Sequence, residues 1–533
     1  MTEREQASTG AGRGVLYIAF AKFYFMFAGL LVQVRLPALL SRAAFGSYSL
    51  VASIASFVNN VVVTGTIQAV SRFAAQEPGK ARLVQHAGLR MHVRLGLPIA
   101  IAFIALAPVL SNFVLLDSTK TAPLMLAGLI VGGYSFYAVF IGTANGLRQF
   151  NKQAGLDISF ATLRVAGLLG MAMAGLGVVG VIGGWVAAVG VILCAAVLWV
   201  GLPGVKGEKL PVRPLIGYFA GVATYLTLFN ALMFVDSVLI KRFTTIYFDD
   251  HARELAGAVA NALPWAPGVT GYHADSSALA DVQNAYYAAV QNLARLSYQA
   301  IIAATFVVFP LVSKSTFSED KDTTRRYVEV TSRYSLVFAT ALAVVMAANP
   351  VDVLGLVYAP DYAQRGGAAL VWLAFGNVAF SVFAINGTIL NGAGFTRAAI
   401  ATAALTLALA FAGNWIAIPI AAEHGRVLEV AAMVTGGSMV VGAIASAIVL
   451  RQRLGGTLPL ASVVRIGLAT AAAFLAGRFL PFGHRGKLMT LVEAVIVGVV
   501  FLAVLVVTRE LGARDLAAIK AVRQKRAAPG GDS

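Results

Sequence analysis

The sequence predicts an all-α integral membrane protein with about fourteen transmembrane helices. Of its 533 residues, 59% are hydrophobic and only 12% are charged, and the mean hydropathy is +0.79. A soluble domain could not bury so much apolar surface, so lipid must be the solvent for most of it. Fourteen apolar runs, from residue 14 to the last two at 460–480 and 487–508, are each long enough to cross a core of about 30 Å.

A pattern of roughly 240 residues occurs twice along the chain. Thr143-Ala-Asn-Gly-Leu-Arg-Gln-Phe-Asn-Lys-Gln-Ala154 ends the fourth span, and Thr388-Ile-Leu-Asn-Gly-Ala-Gly-Phe-Thr-Arg-Ala-Ala399 stands at the matching place in the second copy. An even number of spans per copy gives repeats related by an axis along the membrane normal. The repeat therefore predicts two six-helix lobes related by a pseudo-twofold axis, which is an architecture of secondary transporters.

The repeat and the composition of its connections predict the domain boundaries. They give an N-lobe of spans 1–6 at 1–200, a cytoplasmic linker at 201–213, a C-lobe of spans 7–12 at 214–452 with an outer insertion at 243–282, and a C-terminal helix pair with a basic cytoplasmic tail at 453–533.

Lysine and arginine are concentrated in the loops that lie on one side of this arrangement. The formal net charge is +17, and the cations gather at 72–94, 206–213, 314–333 and 520–526. Cytoplasmic loops carry such an excess in membrane proteins, so it does not indicate nucleic acid. We expect a multi-pass protein of the cell inner (plasma) membrane with both termini in the cytoplasm.

Three cations fall inside predicted spans: Lys22, Arg164 and Arg295. Each costs roughly 2.5–3.5 kcal/mol in a bilayer unless it meets water, a partner or a ligand. Apart from Asp236, few carboxylates lie at comparable depth, so an anion is the expected ligand. Guanidinium groups suit phosphate because they bind it with two hydrogen bonds. Snorkelling to a lipid headgroup is the alternative for Lys22.

Polar side chains recur every three or four residues along the second and eighth spans, which places them on one helix face. Lipid would penalise such stripes, so they should face protein or water. Hydrogen bonding between helices is the alternative to a shared hydrated cavity. The candidate substrate cavity comprises Lys22, Arg164, Arg295, Asn60, Gln68, Gln291 and Gln299.

Arg35 and Asp236 occupy nearly matching positions in the two copies, towards the outer ends of spans one and seven. We predict an ion pair between them that acts as an outer gate. A headgroup contact is the alternative for Arg35.

Motifs of catalysis and of cofactor binding do not occur in the sequence. There is no Gly-x-x-x-x-Gly-Lys-Ser/Thr loop for nucleotide phosphates and no His-Glu-x-x-His metal motif. The single cysteine, Cys194, cannot form an internal disulfide. We expect no enzymatic activity, no cofactor, no metal site and no nucleic-acid partner.

Four stretches resemble a known family: Phe45-Gly-Ser-Tyr-Ser-Leu, Gln68-Ala-Val-Ser-Arg-Phe-Ala, Asn145-Gly with Phe150-Asn-Lys-Gln-Ala, and Phe309-Pro-Leu-Val-Ser. They are similar to bacterial Wzx-type oligosaccharide flippases of the multidrug/oligosaccharidyl-lipid/polysaccharide (MOP) superfamily, which share a MATE-like fold. The resemblance covers about residues 14–450. It implies translocation of undecaprenyl-pyrophosphate-linked oligosaccharides by alternating access, for lipopolysaccharide or exopolysaccharide synthesis. The family's cationic lumen would map onto Lys22, Arg164 and Arg295.

The same resemblance makes membrane lipids, a polysaccharide polymerase and a chain-length regulator candidate partners. Three other functions compete with this interpretation. A peptidoglycan lipid-precursor flippase would have a similar charged cavity. A MATE-like multidrug antiporter would need acids in the lumen. A membrane scaffold or polymerase subunit would not need a twofold repeat.

Overall fold

The protein is seen in a computed structural model that describes residues 3–204, 210–251, 276–298, 321–456, 458–479 and 486–512. The α-helices of the first part are α1 Glu3–Leu39, α2 Arg42–Gln76, α3 Ala81–Arg94, α4 Gly96–Val109, α5 Thr121–Gly146, α6 Phe150–Met173, α7 Gly177–Val200, α8 Arg213–Ala231 and α9 Val235–Asp250. Those of the second part are α10 Ser276–Ala294, α11 Lys321–Ala348, α12 Pro350–Val357, α13 Pro360–Gly392, α14 Thr396–Glu423, α15 Val427–Leu454, α16 Leu460–Phe479 and α17 Lys487–Val507.

Eleven helices of the described residues are long and apolar enough to cross a membrane, or twelve if the bent pair α8 and α9 forms one span. The predicted number of fourteen is therefore not confirmed. The remaining two predicted spans fall on α1, whose described apolar part is the short stretch Phe23–Leu39, and on α10, whose continuation at 299–320 lies outside the described residues.

The predicted outer insertion at 243–282 is helical at both of its described ends. Helix α9 continues to Asp250 and α10 begins at Ser276, so 243–250 and 276–282 are helical. Hydropathy marks only the apolar part of a helix, and here the helices continue beyond the apolar runs as amphipathic helix. Residues 252–275 lie outside the described residues.

Contacts divide the chain into two compact units. The first comprises Met1–Ala289 and Leu407–Ala431, and the second comprises Val290–Thr406 and Ala432–Ser533. Within the first unit, α8 packs on α2, although the repeat assigns α8 to the second copy. An apolar core made by α2, α3, α5 and the start of α8 holds them together; its buried members include Val70, Met91, Val139 and Phe219.

Within the second unit, the C-terminal helices α16 and α17 pack against each other and against α11. Their shared core includes Val344 of α11, Ala473 of α16 and Phe501 of α17. Small residues at such contacts allow helices to approach closely in a membrane. The predicted additional helix pair thus packs on α11 as part of this unit.

Candidate functional site

Arg164 lies midway along α6 and is enclosed by aromatic side chains of the first unit. Its guanidinium carbon stands 4.4 Å from the centre of the Trp185 ring on α7. The Tyr48 hydroxyl interacts with the same guanidinium. Stacking on tryptophan holds the cation by attraction to the negative face of the ring, without neutralising its charge.

The Nε atom of Arg164 is buried without a hydrogen-bond partner, although the Asp157 carboxylate of α6 also acts on the neighbouring Tyr134. No described carboxylate forms an ion pair with Arg164. The Tyr134 and Phe160 rings lie nearby with centroids 5.0 Å apart in an edge-on arrangement. A half-buried cation among aromatic groups is attracted to an anion more strongly than one in water.

Arg295 follows the last residue of α10. Its Nη2 atom donates a hydrogen bond to Gln291 Oε1 over 3.2 Å, one helical turn earlier. Gln291 is 4% exposed, so this predicted stripe residue faces protein. The Tyr298 ring packs edge-on against Phe380 of α13 with centroids 4.7 Å apart, which fixes the segment that follows Arg295.

The polar stripe of α2 faces a helix of the second copy. Asn60 Nδ2 donates to Asn230 Oδ1 of α8 over 3.1 Å, which is a hydrogen bond between two helices; the place of Asn60 in a substrate cavity stays a prediction. Asn60 and Gln68 are both exposed. The side chain of Lys22 and all of Gln299 lie outside the described residues.

The predicted gate pair is not formed. Asp236 is buried and accepts hydrogen bonds from the Tyr287 hydroxyl, over 2.6 Å, and from the Ser237 N–H, over 2.8 Å. Arg35 is exposed, and the ion pairs among the described residues do not join it to Asp236. The two residues are therefore not paired in this structure, and their role as an outer gate stays a prediction.

Four buried charges, missed by the sequence analysis, form a charge tetrad: Asp117, Lys120, Lys241 and Asp281. Lys120 Nζ lies 2.5 Å from an oxygen of Asp117 and 2.5 Å from an oxygen of Asp281. Lys241 Nζ lies 3.3 Å from Asp117 and 2.9 Å from Asp281. All four side chains are at most 6% exposed. Each cation thus bridges both anions.

Hydroxyl groups complete the charge tetrad. Ser277 and Thr119 donate side-chain hydrogen bonds to Asp117, and Lys241 donates to the Ser277 carbonyl oxygen over 2.7 Å. Burial raises the pKa of Asp117, but the hydrogen bonds from Lys120, Ser277 and Thr119 outweigh burial and hold this pKa below its usual range. Asp117 therefore stays ionised around neutral pH.

The charge tetrad joins the connection between α4 and α5 to α9 and α10. The predicted orientation places this end of the helices outside. One signal in the sequence could have found the tetrad: Lys241 directly follows the predicted seventh span, at a depth where a cation needs a partner. Among the described residues, no group of histidine, cysteine and acidic side chains could hold a metal ion.

No family model and no curated protein matches the sequence. Solved structures do match. A lipid II flippase MurJ in an inward closed conformation is similar with a TM-score of 0.69 and 10% identity, over 93% of this chain and 99% of that chain. A MOP superfamily transporter from Pyrococcus furiosus gives a TM-score of 0.58 and 13% identity, over 84% and 96%.

An outward-facing multidrug resistance MATE family transporter gives the same TM-score of 0.58 and 13% identity, over 84% of this chain and 96% of that chain. These similarities confirm an all-α membrane fold for this chain, and the matched structures are described as a flippase and as transporters. At such identity they show the fold alone, and the chain is a multi-pass membrane protein of this fold.

Proposed function

We propose that the protein is a flippase for undecaprenyl-pyrophosphate-linked oligosaccharides. It would move them from the cytoplasmic to the outer leaflet of the inner membrane by alternating access, for cell-surface polysaccharide synthesis. The observation that carries the proposal is Arg164, a guanidinium within the helices that stacks on Trp185 and has no carboxylate partner among the described residues.

A cation held this way favours an anionic substrate over a cationic one. The aromatic neighbours position the guanidinium without supplying negative charge, so a pyrophosphate can supply the acceptors that it lacks. A multidrug antiporter would need a carboxylate in this place. Outward movement of an anion is also favoured by an inside-negative potential, by about 2.3 kcal/mol per charge per 100 mV.

An apolar groove of about 420 Å³ in the second unit suits the lipid part of such a substrate. It runs between α11, α13 and α16, and its lining includes Leu336, Phe375, Ile466, Ala471 and Phe474. The volume falls within the range of ligand-binding pockets. A lipid chain in this groove would stay in an apolar environment.

A second candidate is a flippase for a peptidoglycan lipid precursor. The structural similarity to lipid II flippase MurJ, with a TM-score of 0.69 over 93% of this chain, favours it. The two functions share the pyrophosphate and differ in the glycan. Rescue of cells depleted of their own precursor flippase would support this candidate, and rescue of cells lacking an oligosaccharide flippase would support the first.

Replacement of Arg164 by alanine tests the proposed function. We expect less surface polysaccharide and an accumulation of lipid-linked repeat units on the inner side, measured at matched protein level. A hydrogen bond to a charged group contributes about 1.5–3 kcal/mol, so substrate affinity should fall roughly tenfold to a hundredfold.

Two variants serve as controls for Arg164→Ala. Arg164→Lys keeps the charge but loses the planar guanidinium group that can bind phosphate with two hydrogen bonds, and it should retain part of the activity. Arg451→Ala removes an exposed cation of α15 and should leave polymer output unchanged. Normal output from Arg164→Ala would contradict the proposed function.

Replacement of Ala471 by phenylalanine tests the groove. The larger ring would occupy space that the lipid chain needs, and a loss of about 1–2 kcal/mol corresponds to roughly five- to thirtyfold weaker substrate binding. The transport rate of each variant is measured with a fluorescent polyprenyl-pyrophosphate glycan in proteoliposomes. Leu475→Phe adds bulk to an exposed position of α16 outside the groove and should transport normally. Equal transport rates for the two variants would exclude the groove as the binding site of the lipid chain.

A further inference from the structure

Three sets of contacts fasten the first copy of the repeat to α9 and α10 at the end that the predicted orientation places outside. We propose that together they form an outer latch that closes the transport path on this side and must open in every cycle. The outer latch comprises the charge tetrad, Arg242 and Gly46. The inference requires transport by alternating access but not the substrate of the proposed function.

The charge tetrad provides the first set of contacts. Asp117 and Lys120 belong to the connection between α4 and α5, whereas Lys241 and Asp281 belong to α9 and α10. Each lysine contacts both aspartates. Charges of opposite sign alternate around the ring, so each half is an ion pair that also contacts the opposite charges of the other half. Separation would leave each half exposed to water.

Arg242 provides the second set of contacts from the residue next to Lys241. Its Nη1 atom donates to the carbonyl oxygens of Phe113 and, over 3.3 Å, of Val114. These carbonyls belong to the π-helical turn Leu110–Val114 that extends α4, where the last groups of a helix lack partners within it. Two successive cations of α9, Lys241 and Arg242, thus bind the same connection between α4 and α5 of the first copy.

Gly46 provides the third contact, at the start of α2. A Cβ atom on this residue would overlap the Asp281 carbonyl oxygen and would lie 3.0 Å from the Ala285 nitrogen. The backbones of α2 and α10 therefore touch at this point, and only glycine permits that approach. This contact is steric and independent of the charges.

Buried ion pairs suit a contact that must open repeatedly. Their mutual attraction is largely offset by the loss of hydration, so water can replace the partners at a small net change in free energy. A wide apolar contact would lose its stabilisation on opening, because water cannot replace apolar partners. The outer latch therefore selects the closed geometry through specific pairing while remaining reversible.

A charge-exchange experiment tests the outer latch. Cys194→Ser removes the only native thiol, and Ala285→Cys places a probe at a position that is 0% exposed. The half-exchange, Asp117→Lys with Lys120→Asp, then places like charges opposite each other between the first copy and α9 and α10. We expect a membrane-impermeant maleimide to label the cysteine of Ala285→Cys on the order of tenfold faster. Addition of Lys241→Asp and Asp281→Lys restores alternation and should restore slow labelling.

Each result of the charge exchange decides the proposal. The proposal is overturned if the variant with two exchanged charges folds and is labelled at the parental rate. It is also overturned if the variant with four exchanged charges folds and is still labelled fast. Size-exclusion profiles in detergent show whether each variant is folded. If the half-exchange does not fold, the glycine variant below decides the question.

Gly46→Ala opens the outer latch without changing a charge. We expect faster labelling of Ala285→Cys, again on the order of tenfold, because the added methyl group keeps α10 from α2. Gly183→Ala is the control, since a Cβ there meets nothing within 4 Å. An unchanged rate in Gly46→Ala would overturn the proposal. The readout needs no substrate, so its failure and that of the proposed function are distinguishable.

Discussion

Glu510→Ala is expected to loosen the C-terminal helix pair from α11 and to lower the melting temperature of the protein. The Glu510 carboxylate is 1% exposed and pairs with Arg333 of α11 over 2.8 Å and with Arg465 of α16 over 3.4 Å. Its carbonyl oxygen accepts a further bond from Arg333. One acid therefore fastens α11 to α16 next to the end of α17.

The expected loss for Glu510→Ala is about 2 kcal/mol. Breaking a fully buried pair costs about 3–5 kcal/mol, but Arg333 and Arg465 keep access to water, which lowers the figure. Glu329→Ala is the matched control, because the Arg325–Glu329 pair of 2.8 Å on α11 is largely exposed. Fluorescence-monitored unfolding in detergent measures both variants. Equal melting temperatures would show that the pairing with Glu510 does not stabilise the helix pair.

Gly167→Leu is expected to abolish the folded protein. Helices α6 and α7 cross where Gly167 meets Gly184: a Cβ on Gly167 would lie 2.8 Å from the Gly184 carbonyl carbon, and one on Gly184 would lie 2.6 Å from that of Gly167. Larger side chains would force the helices apart along their length, and overpacking by less than this already costs about 1–3 kcal/mol.

The control for Gly167→Leu lies one turn further along the same helix. A Cβ on Gly170 meets nothing within 4 Å, so Gly170→Leu makes the same chemical change without an overlap. Fluorescence-detected size exclusion of tagged variants compares their yields. A normal monodisperse peak from Gly167→Leu would contradict the close crossing.

The helices of the C-terminal pair could be predicted from the sequence almost to the residue. The apolar runs at 460–480 and 487–508 correspond to α16 at Leu460–Phe479 and α17 at Lys487–Val507. Their boundaries were clear because Pro459 and Gly486 stand directly before them, and both residue types interrupt helices. In the outer insertion, polar helix continues beyond the apolar runs, so hydropathy alone does not mark where those helices end.

The candidate site was predicted in part. The depth of Arg164 within its span follows from hydropathy, but its stacking on Trp185 depends on how α6 and α7 pack, which hydropathy does not specify. The charge tetrad was missed because its members lie just outside the apolar runs of the predicted spans, where charges ordinarily face water. Distances of 161 residues along the chain, as between Lys120 and Asp281, leave no local pattern.

The bend of 46° between α8 and α9 has a consequence for how the seventh span can move. At 232–234 the chain forms turns, with the Met233 and Phe234 N–H groups bonded three residues back. A joint is thus already present between the portion that packs on α2 and the portion that carries Lys241 and Arg242. Rotation of α9 about this joint breaks no continuous helix. Resistance to that rotation therefore comes from the contacts of α9 with the first copy, and not from the stiffness of one long helix.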